Sequence, residues 1–378
     1  KKEETGDYTF TLLGESIVAW ENDDVSHDAI MKEYVVIESE AGKLDECIAA
    51  AGKDLTKIRN LKIIGQITSR DFATMRFKME RLTALNLREV QIVAGESGSF
   101  EEIKDATWEA CSDAEIPKLA LKGKESLVSL VLPNELKKIG GGTGGNNGAF
   151  AECTSLSGSL IIPEGVEEIG PAAFAACTSL TGTLSLPSTL KILGTVNEYA
   201  SYWDGVFYGC NFTCELKLPE KLKILGAGAF GYCKNLYGEL RLPEGLEAIG
   251  SGAFEGCENL FGSLSIPQGI TSIPDNCFNG TWLGGTLELH DGITTIGDGA
   301  FANTGLKGEL HLPKNLEVIS HNVFYNCDFS GVLVLPEGLH TIGDKAFAYN
   351  WRLMGTLEIP ENVISIGAGA FAKCRSLE

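Results

Sequence analysis

The sequence lacks any apolar run of about 18 residues, the length that a membrane-spanning helix requires. It is also poor in cations, because 31 lysine and arginine residues stand against 51 aspartate and glutamate residues, giving a formal net charge of -20. Nucleic acid and anionic lipid surfaces would repel such a chain. The composition therefore predicts no transmembrane span and no nucleic-acid partner, and it favours solubility or basic partners.

Signatures of catalytic and metal sites are also missing. No C-x-x-C pair is present, so a zinc knuckle is not expected, and neither G-x-S-x-G nor a Cys–His arrangement marks a nucleophile. The glycine run 140–148 lacks the Lys-Ser/Thr that follows in a phosphate-binding loop. His290 and His311 fall in consecutive repeat units, where Glu288 or Glu309 would supply a third metal ligand, but exposed sheet residues are the favoured interpretation. The sequence predicts no enzyme, no metal site and no cofactor.

What the chain does contain is a repeated phrase, L-x-G-x-L-x-L-P-x-x-L-x-x-I-G-x-x-A-F-x-x-C. Its phenylalanines are Phe150, Phe174, Phe207, Phe230, Phe254, Phe278, Phe301, Phe324, Phe347 and Phe371. They recur every 23 or 24 residues, except that Phe174 and Phe207 are 33 residues apart. A fixed period in this range indicates a solenoid, in which each unit covers the apolar face of the next unit.

Each unit predicts two extended segments and one short helical turn. The x-L-x-L-P segment alternates outward and inward side chains and ends at proline, which has no N–H to donate to a neighbouring strand. L-x-x-I-G is the second extended segment, and A-F-x-x-C is predicted to form one turn of helix that buries the phenylalanine. The expected fold is an α/β repeat: a right-handed leucine-rich-repeat solenoid with short strands, short helical turns and one continuous sheet.

Three regions differ in how regular the repeat is. Residues 1–40 are a charged tether with leading strands, residues 41–130 are irregular capping repeats, and residues 131–378 are regular repeats of 23–24 residues. The specific elements predicted are strands at 8–12, 34–37, 61–64 and 85–87 and helices at 44–51 and 71–82. The charged opening from Lys1 is typical of a processed N-terminus, and the abrupt stop at Glu378 indicates truncation or further residues that are not included.

Most of the 11 cysteines share one register, three residues after the repeat phenylalanine. This register holds Cys153, Cys177, Cys210, Cys233, Cys257, Cys327 and Cys374, and it is filled by Thr281, Thr304 and Asn350 in other units. A disulfide framework would not tolerate these replacements, whereas a buried thiol with a backbone partner would. The cysteines are therefore predicted to be buried and unpaired, which is compatible with export.

Two surfaces of the predicted solenoid are candidate binding sites. The outward columns of the x-L-x-L-P strands are polar and mixed in charge, and they supply the candidates Lys217, Arg241, Glu288 and His311. The insertion 194–205 supplies the candidates Tyr199, Tyr202 and Trp203. Aromatic residues on an insertion are typical of binding anchors, but packing against a neighbouring unit is the favoured alternative. This insertion and the glycine run 140–148 interrupt the same point of the unit and should emerge from one edge, roughly 10 Å apart.

The repeated phrase resembles the BspA-like, or Treponema pallidum-type, leucine-rich repeat. The resemblance covers residues 127–378, and the segment 61–87 is similar to the N-terminal part of such proteins from gut Bacteroides. Departures are His290 in the proline place, Thr304 and Asn350 in the cysteine place, and the two insertions.

The resemblance implies a non-enzymatic protein that is exported and displayed at the bacterial cell surface or outer membrane. Members often carry a lipid anchor, which here would lie upstream of Lys1, and some are adhesins for host matrix proteins. The function expected is therefore protein–protein interaction or adhesion. A carbohydrate-binding surface protein, with Tyr202 and Trp203 stacking on sugar rings, remains the alternative.

Overall fold

The chain folds into a solenoid of short parallel strands, stacked coil upon coil around a continuous apolar core. The structure is a computed structural model that describes residues 9–12, 15–18, 34–196 and 201–378. The leucine-rich-repeat solenoid predicted from the period is confirmed.

The described chain begins with a hairpin and a four-stranded parallel sheet. Strand Thr9–Leu12 pairs antiparallel with Glu15–Val18. The parallel sheet contains Val35–Ser39, Asn60–Ile67, Ala84–Ile92 and Ser129–Val131, in that order. A further small antiparallel pair joins Gly98–Ser99 to Thr107–Trp108. The strands predicted at 61–64 and 85–87 are confirmed, and those predicted at 8–12 and 34–37 are confirmed from Thr9 and Val35 onward, with residue 8 outside the described residues.

Helices occur between the first strands of this sheet. The α-helix Leu44–Ala50 matches its prediction, and the α-helix Ser69–Ala73 continues as a π-helix over Thr74–Lys78. The predicted helix 71–82 was too long, because the chain leaves helical geometry at Met79, where φ is -110° and ψ is 64°. The Nζ of Lys124 donates to the carbonyl oxygens of Arg76 and Met79 at 3.1 and 2.6 Å, so a distant side chain satisfies the carbonyls at the helix end.

In the regular array the L-x-x-I-G segments pair from coil to coil. Six of them form one parallel sheet: Glu115–Ile116, Lys138–Ile139, Glu168–Ile169, Ile192–Leu193, Ile224–Leu225 and Ala248–Ile249. The corresponding segments of the later coils form two smaller parallel sheets. One has two strands, Ser272–Ile273 and Thr295–Ile296, and the other has three, Val318–Ile319, Thr341–Ile342 and Ser365–Ile366.

The opposite side of each coil carries the L-x-G-x-L-x-L-P strands. The L-x-L part pairs Leu160–Ile161 with Leu184–Ser185, and Leu264–Ser265 with Leu287–Glu288. The L-x-G part pairs Tyr237–Glu239 with Asn259–Phe261, and it forms a four-stranded ladder of Lys307–Gly308, Asp328–Gly331, Arg352–Gly355 and Ser376–Leu377. The prediction of one continuous sheet was wrong. The strands pair instead as separate short ladders, and glycines with positive φ, such as Gly238 with φ of 115°, occur within them.

The A-F-x-x-C segments form consecutive turns, so the predicted turn of helix was wrong in this detail. Residues within them adopt left-handed geometry, as at Ala172 and Ala176 with φ of 56° and 58°. Their N–H groups bond to the next coil: Phe230 N donates to Ala253 O at 2.9 Å. In a helix these N–H groups would bond to carbonyl groups of the same helix, whereas in the solenoid they bond to the next coil.

The repeat phenylalanines form a stacked column in the core. Rings of neighbouring coils are nearly parallel, with centroids separated by 5.1 Å at Phe150–Phe174 and by 5.8 Å at Phe230–Phe254. Burial of one phenylalanine side chain contributes about 2–3 kcal/mol. The column therefore supplies a stabilising contact between each coil and the next.

The cysteine register supplies hydrogen-bond donors beside this column. The thiol of Cys233 donates to the carbonyl of Phe207 in the preceding coil at 3.0 Å, and the Asn350 amide donates to Phe324 in the same way at 2.7 Å. Thr304 bonds to the carbonyl of Phe301 in its own coil, at 2.9 Å. The position therefore requires a small donor, which explains the replacements, and all 11 cysteines are free as predicted.

Candidate functional site

The outer strand face, formed by the outward side chains of the L-x-G-x-L-x-L-P strands, contains four of the predicted binding residues. Lys217, Arg241, Glu288 and His311 are all exposed in one column of this face. Lys217 pairs with Glu215 at 3.1 Å, and Arg241 pairs with Glu239 at 2.6 Å. Exposed pairs of this kind contribute at most about 1 kcal/mol to stability, so they leave the charges available to a partner.

Two aromatic residues on the same face were missed by sequence reasoning. Tyr237 and Phe261 are 49% and 54% exposed and occupy the same repeat position in consecutive coils, and Trp282, which is 72% exposed, lies in the next coil just before the strand segment begins at Leu283. Tyr237 is bridged to Glu215, and Phe261 is paired in register with Glu239, so each ring lies beside an ion pair of the preceding coil. Strand alternation was the available signal, because Tyr237 precedes Arg241, one of the residues predicted to face outward, by four residues.

The aromatic insertion is described only in part. Tyr199 lies outside the described residues, and Tyr202 opens the short 3-10 helix Tyr202–Asp204. The Trp203 side chain is 54% exposed, and its ring lies 5.1 Å from Tyr208. Tyr208 in turn contacts Tyr232 edge-on at 5.5 Å. Trp203 therefore packs against Tyr208 while about half of its side chain stays exposed.

The two insertions contact each other directly through Asp204. This buried carboxylate accepts hydrogen bonds from the N–H groups of Gly144 and Gly145, at 2.9 and 3.3 Å, and from Ser201 N at 3.1 Å. The glycines have φ of 80° and 108°, a geometry that turns successive N–H groups toward one anion. The glycine run thus holds the aromatic insertion in place, in agreement with a shared edge.

Replacing Asp204 by alanine is expected to release the aromatic insertion while the coils stay folded. Three N–H groups lose their carboxylate acceptor, and a hydrogen bond to a charged group typically contributes about 1.5–3 kcal/mol. Limited proteolysis should show faster cleavage near residues 194–205 in Asp204→Ala, with Asp298→Ala, an exposed aspartate of a regular turn, as control. Equal protection of the variant and the parent protein would contradict this role.

The two histidines considered as metal ligands, His290 and His311, contact different groups and do not share a site. His290 is engaged with the backbone, because its Nε2 lies 3.1 Å from Pro267 O and its Nδ1 accepts from Gly292 N at 3.1 Å. His311 is on the outer strand face, 3.8 Å from Glu309. Within the part of the chain that the structure describes, no group of three or more His, Cys, Asp or Glu residues is arranged to hold a metal ion.

Comparison with known families agrees with the coil geometry. The model of the BspA type leucine rich repeat region matches six copies over residues 114–196, 201–331 and 294–378. The chain belongs to this family. None of the curated proteins searched matches it.

Solved structures similar to this BspA-type chain are bacterial leucine-rich proteins. One is a leucine rich cell surface protein from Faecalibacterium prausnitzii, with 18% identity, a TM-score of 0.45, and coverage of 99% of this chain and 94% of that chain. Another is a leucine-rich repeat protein from Bacteroides ovatus, with 21% identity, a TM-score of 0.42, and coverage of 74% and 83%. A third, from T. pallidum, has 26% identity, a TM-score of 0.31, and coverage of 50% and 69%.

The helices of this BspA-type chain are short. Over the residues that the structure describes, none is long and apolar enough to cross a bilayer.

Proposed function

We propose that this protein is a non-enzymatic cell-surface scaffold that binds a protein partner, as in adhesion, through its outer strand face. The observation that carries the proposal is the pair of exposed rings, Tyr237 and Phe261, which occupy the same position of the repeat in two consecutive coils, followed by the exposed Trp282 in the next coil. Aromatic side chains dominate the binding energy of protein interfaces, and isolated soluble proteins seldom expose several together.

The scaffold supports binding because it holds these rings on rigid backbone. Tyr237 and Phe261 belong to paired strands, and Leu236 and Leu260 beneath them are fully buried. Rings fixed in this way lose little conformational freedom when a partner docks, which favours affinity. The flanking Lys217–Glu215 and Arg241–Glu239 pairs form a polar rim, where charged residues contribute orientation more than affinity.

We also propose that the protein is displayed at the cell surface. Membership of the BspA-type family and similarity to the Faecalibacterium protein, which is described as a cell surface protein, support this location. A lipid anchor upstream of Lys1 would attach the chain to the outer membrane, with residues 1–40 as tether, residues 41–130 as cap and the regular coils facing outward. Surface proteolysis of intact cells, read with an antibody to the coils, tests this arrangement.

The binding proposal is tested by probing the purified protein against an array of host matrix proteins and polysaccharides. We expect a protein to be captured, and Tyr237→Ala and Phe261→Ala each to weaken that complex by about 1–3 kcal/mol. Each change should alter stability by less than about 0.5 kcal/mol, because both rings are at the surface. Val318→Ala, at an exposed apolar side chain in the strand Val318–Ile319 on the other column of strands, is the control on a different surface.

Two outcomes would contradict this assignment. Capture of polysaccharides alone would favour the carbohydrate-binding alternative. Weakening by Trp203→Ala but not by Tyr237→Ala would move the binding site to the aromatic insertion.

A further inference from the structure

A second surface runs along the edge of the solenoid where the A-F-x-x-C turns stack. Six side chains define this turn edge: Trp203, Tyr208, Tyr232, Glu255, Asp275 and Asp298. The rings of the first three follow each other at 5.1 and 5.5 Å, and the Tyr232 hydroxyl donates to the Glu255 carboxylate at 2.9 Å. The turn edge thus spans five successive coils, with the rings in the first two and the carboxylates in the next three.

The carboxylates of the turn edge are fixed by the backbone of the neighbouring coils. Asp275 Oδ1 accepts from Asp298 N at 2.8 Å, and Asp298 Oδ1 accepts from His321 N at 2.9 Å. Both aspartates are nevertheless exposed. Each residue thus holds a negative charge at the surface in a defined position.

Cations are missing from this part of the edge. The turn segments 204–210, 227–233, 251–257, 275–281 and 298–304 contain neither lysine nor arginine, and besides the buried Asp204 they contain three acidic residues, Glu255, Asp275 and Asp298. The outer strand face differs, because Lys217 and Arg241 balance its glutamates there. The turn edge is therefore acidic and aromatic at once, within a chain of net charge -20.

We propose that the turn edge binds a basic, arginine- or lysine-rich segment of a protein partner. A guanidinium or ammonium group is attracted to the face of an aromatic ring and forms charge-assisted hydrogen bonds with carboxylates. Arginine suits this surface best, because its planar group stacks on rings and bonds to carboxylates in the same pose. The inference rests on the proposed function as a protein-binding scaffold and names the class of partner for a second surface.

The test uses a fluorescent peptide of alternating arginine and glycine, with a glutamate–glycine peptide as the acidic counterpart. The full chain should bind only the basic peptide, more tightly as salt is lowered, because the attraction is between surface charges. The triple variant Glu255→Gln, Asp275→Asn and Asp298→Asn should weaken binding about tenfold, from three exposed ion pairs of roughly 0.5 kcal/mol each. Trp203→Ala should weaken it about two- to fivefold.

The substitutions are chosen so that the fold is kept. Each amide retains the oxygen that accepts from Tyr232 or from the next coil, so the melting temperature should change little. The matched control removes the same charge from the outer strand face: Glu288→Gln, Glu309→Gln and Glu358→Gln. At physiological ionic strength, where the Debye length is about 8 Å, it should bind the basic peptide within about twofold of the parent protein, since these glutamates lie on the outer strand face and not on the turn edge.

Three results would overturn the inference. The first is no binding of the basic peptide at low salt. The second is equal weakening by the control variant, which would show a nonspecific effect of net charge. The third is binding of a neutral polysaccharide, lost in Trp203→Ala, without binding of the basic peptide. None of these results bears on the outer strand face, whose own variants test the proposed function separately.

Discussion

Raising the pH from 8.5 to 9.5 is expected to lower the free energy of unfolding by roughly 5–10 kcal/mol, because the buried thiols cannot ionise in the folded chain. Burial raises the pKa of Cys153, Cys257 and Cys327 to about 12. Burial also raises the pKa of a second set well above the ordinary value, namely Cys177, Cys210, Cys233 and Cys277. In the unfolded chain these seven thiols ionise near pH 8.5.

The sign follows from proton binding. Below about pH 8.5 both states keep the thiol protons, so the contribution to stability is fully present. Above that pH the unfolded chain loses protons that the folded chain retains, and each thiol removes up to about 1.4 kcal/mol per pH unit. Lys124 acts in the opposite direction, because burial lowers its pKa to about 8. One lysine cannot offset seven thiols, so the net effect is loss of stability.

Guanidinium titrations of the reduced protein at pH 7.5, 8.5 and 9.5, followed by circular dichroism, measure this effect. Two reciprocal variants provide the control. Cys257→Thr should reduce the loss of stability between pH 8.5 and 9.5 by about 1 kcal/mol, and Thr281→Cys should increase it by a similar amount. The chain already accepts both residue types in this register. A pH dependence that neither variant changes would refute the thiols as its cause.

The period of the sequence was enough to predict the solenoid, the buried phenylalanines and the free cysteines, because each depends on a contact that is repeated in every coil. Contacts that occur once were not predictable in the same way. The helix that ends at Lys78 is one example, because the donor at its end comes from Lys124, which lies 45 residues from Met79. The hydrogen bond between Gly144 and Asp204 joins insertions from two different coils, and no local pattern encodes it.

The prediction of a helical turn at A-F-x-x-C failed for a different reason. Alanine and phenylalanine beside a cysteine are compatible with a helix, and local propensity is a weak guide when tertiary contacts compete. Here the N–H groups of Phe254 and Gly256 bond to Cys277 and Asn279 of the next coil, so stacking overrides the local preference. The exposed rings Tyr237 and Phe261 were predictable in principle, because they continue the outward alternation of a strand.

Replacing Phe254 by alanine is expected to lower the free energy of unfolding by about 3–5 kcal/mol. Its ring is fully buried, between Phe230 at 5.8 Å and Phe278 at 5.7 Å, so alanine leaves a cavity bounded by two rigid rings. Phe261→Ala is the matched control. It removes the same side chain seven residues later, from a ring that is 54% exposed, and should change stability by less than about 0.5 kcal/mol.

The same substitution tests whether stability is local, as a solenoid requires. Phe254→Ala combined with Phe278→Ala should depart from additivity by about 0.5–3 kcal/mol, because the two rings share one contact. Phe254→Ala combined with Phe347→Ala should be additive within about 0.5 kcal/mol, because each coil contacts only its neighbours. Denaturant titrations of the single and double variants measure the coupling free energy of the adjacent pair and of the distant pair. Equal coupling of the near and distant pairs would show that the chain unfolds as one globular core, in conflict with the stacked column.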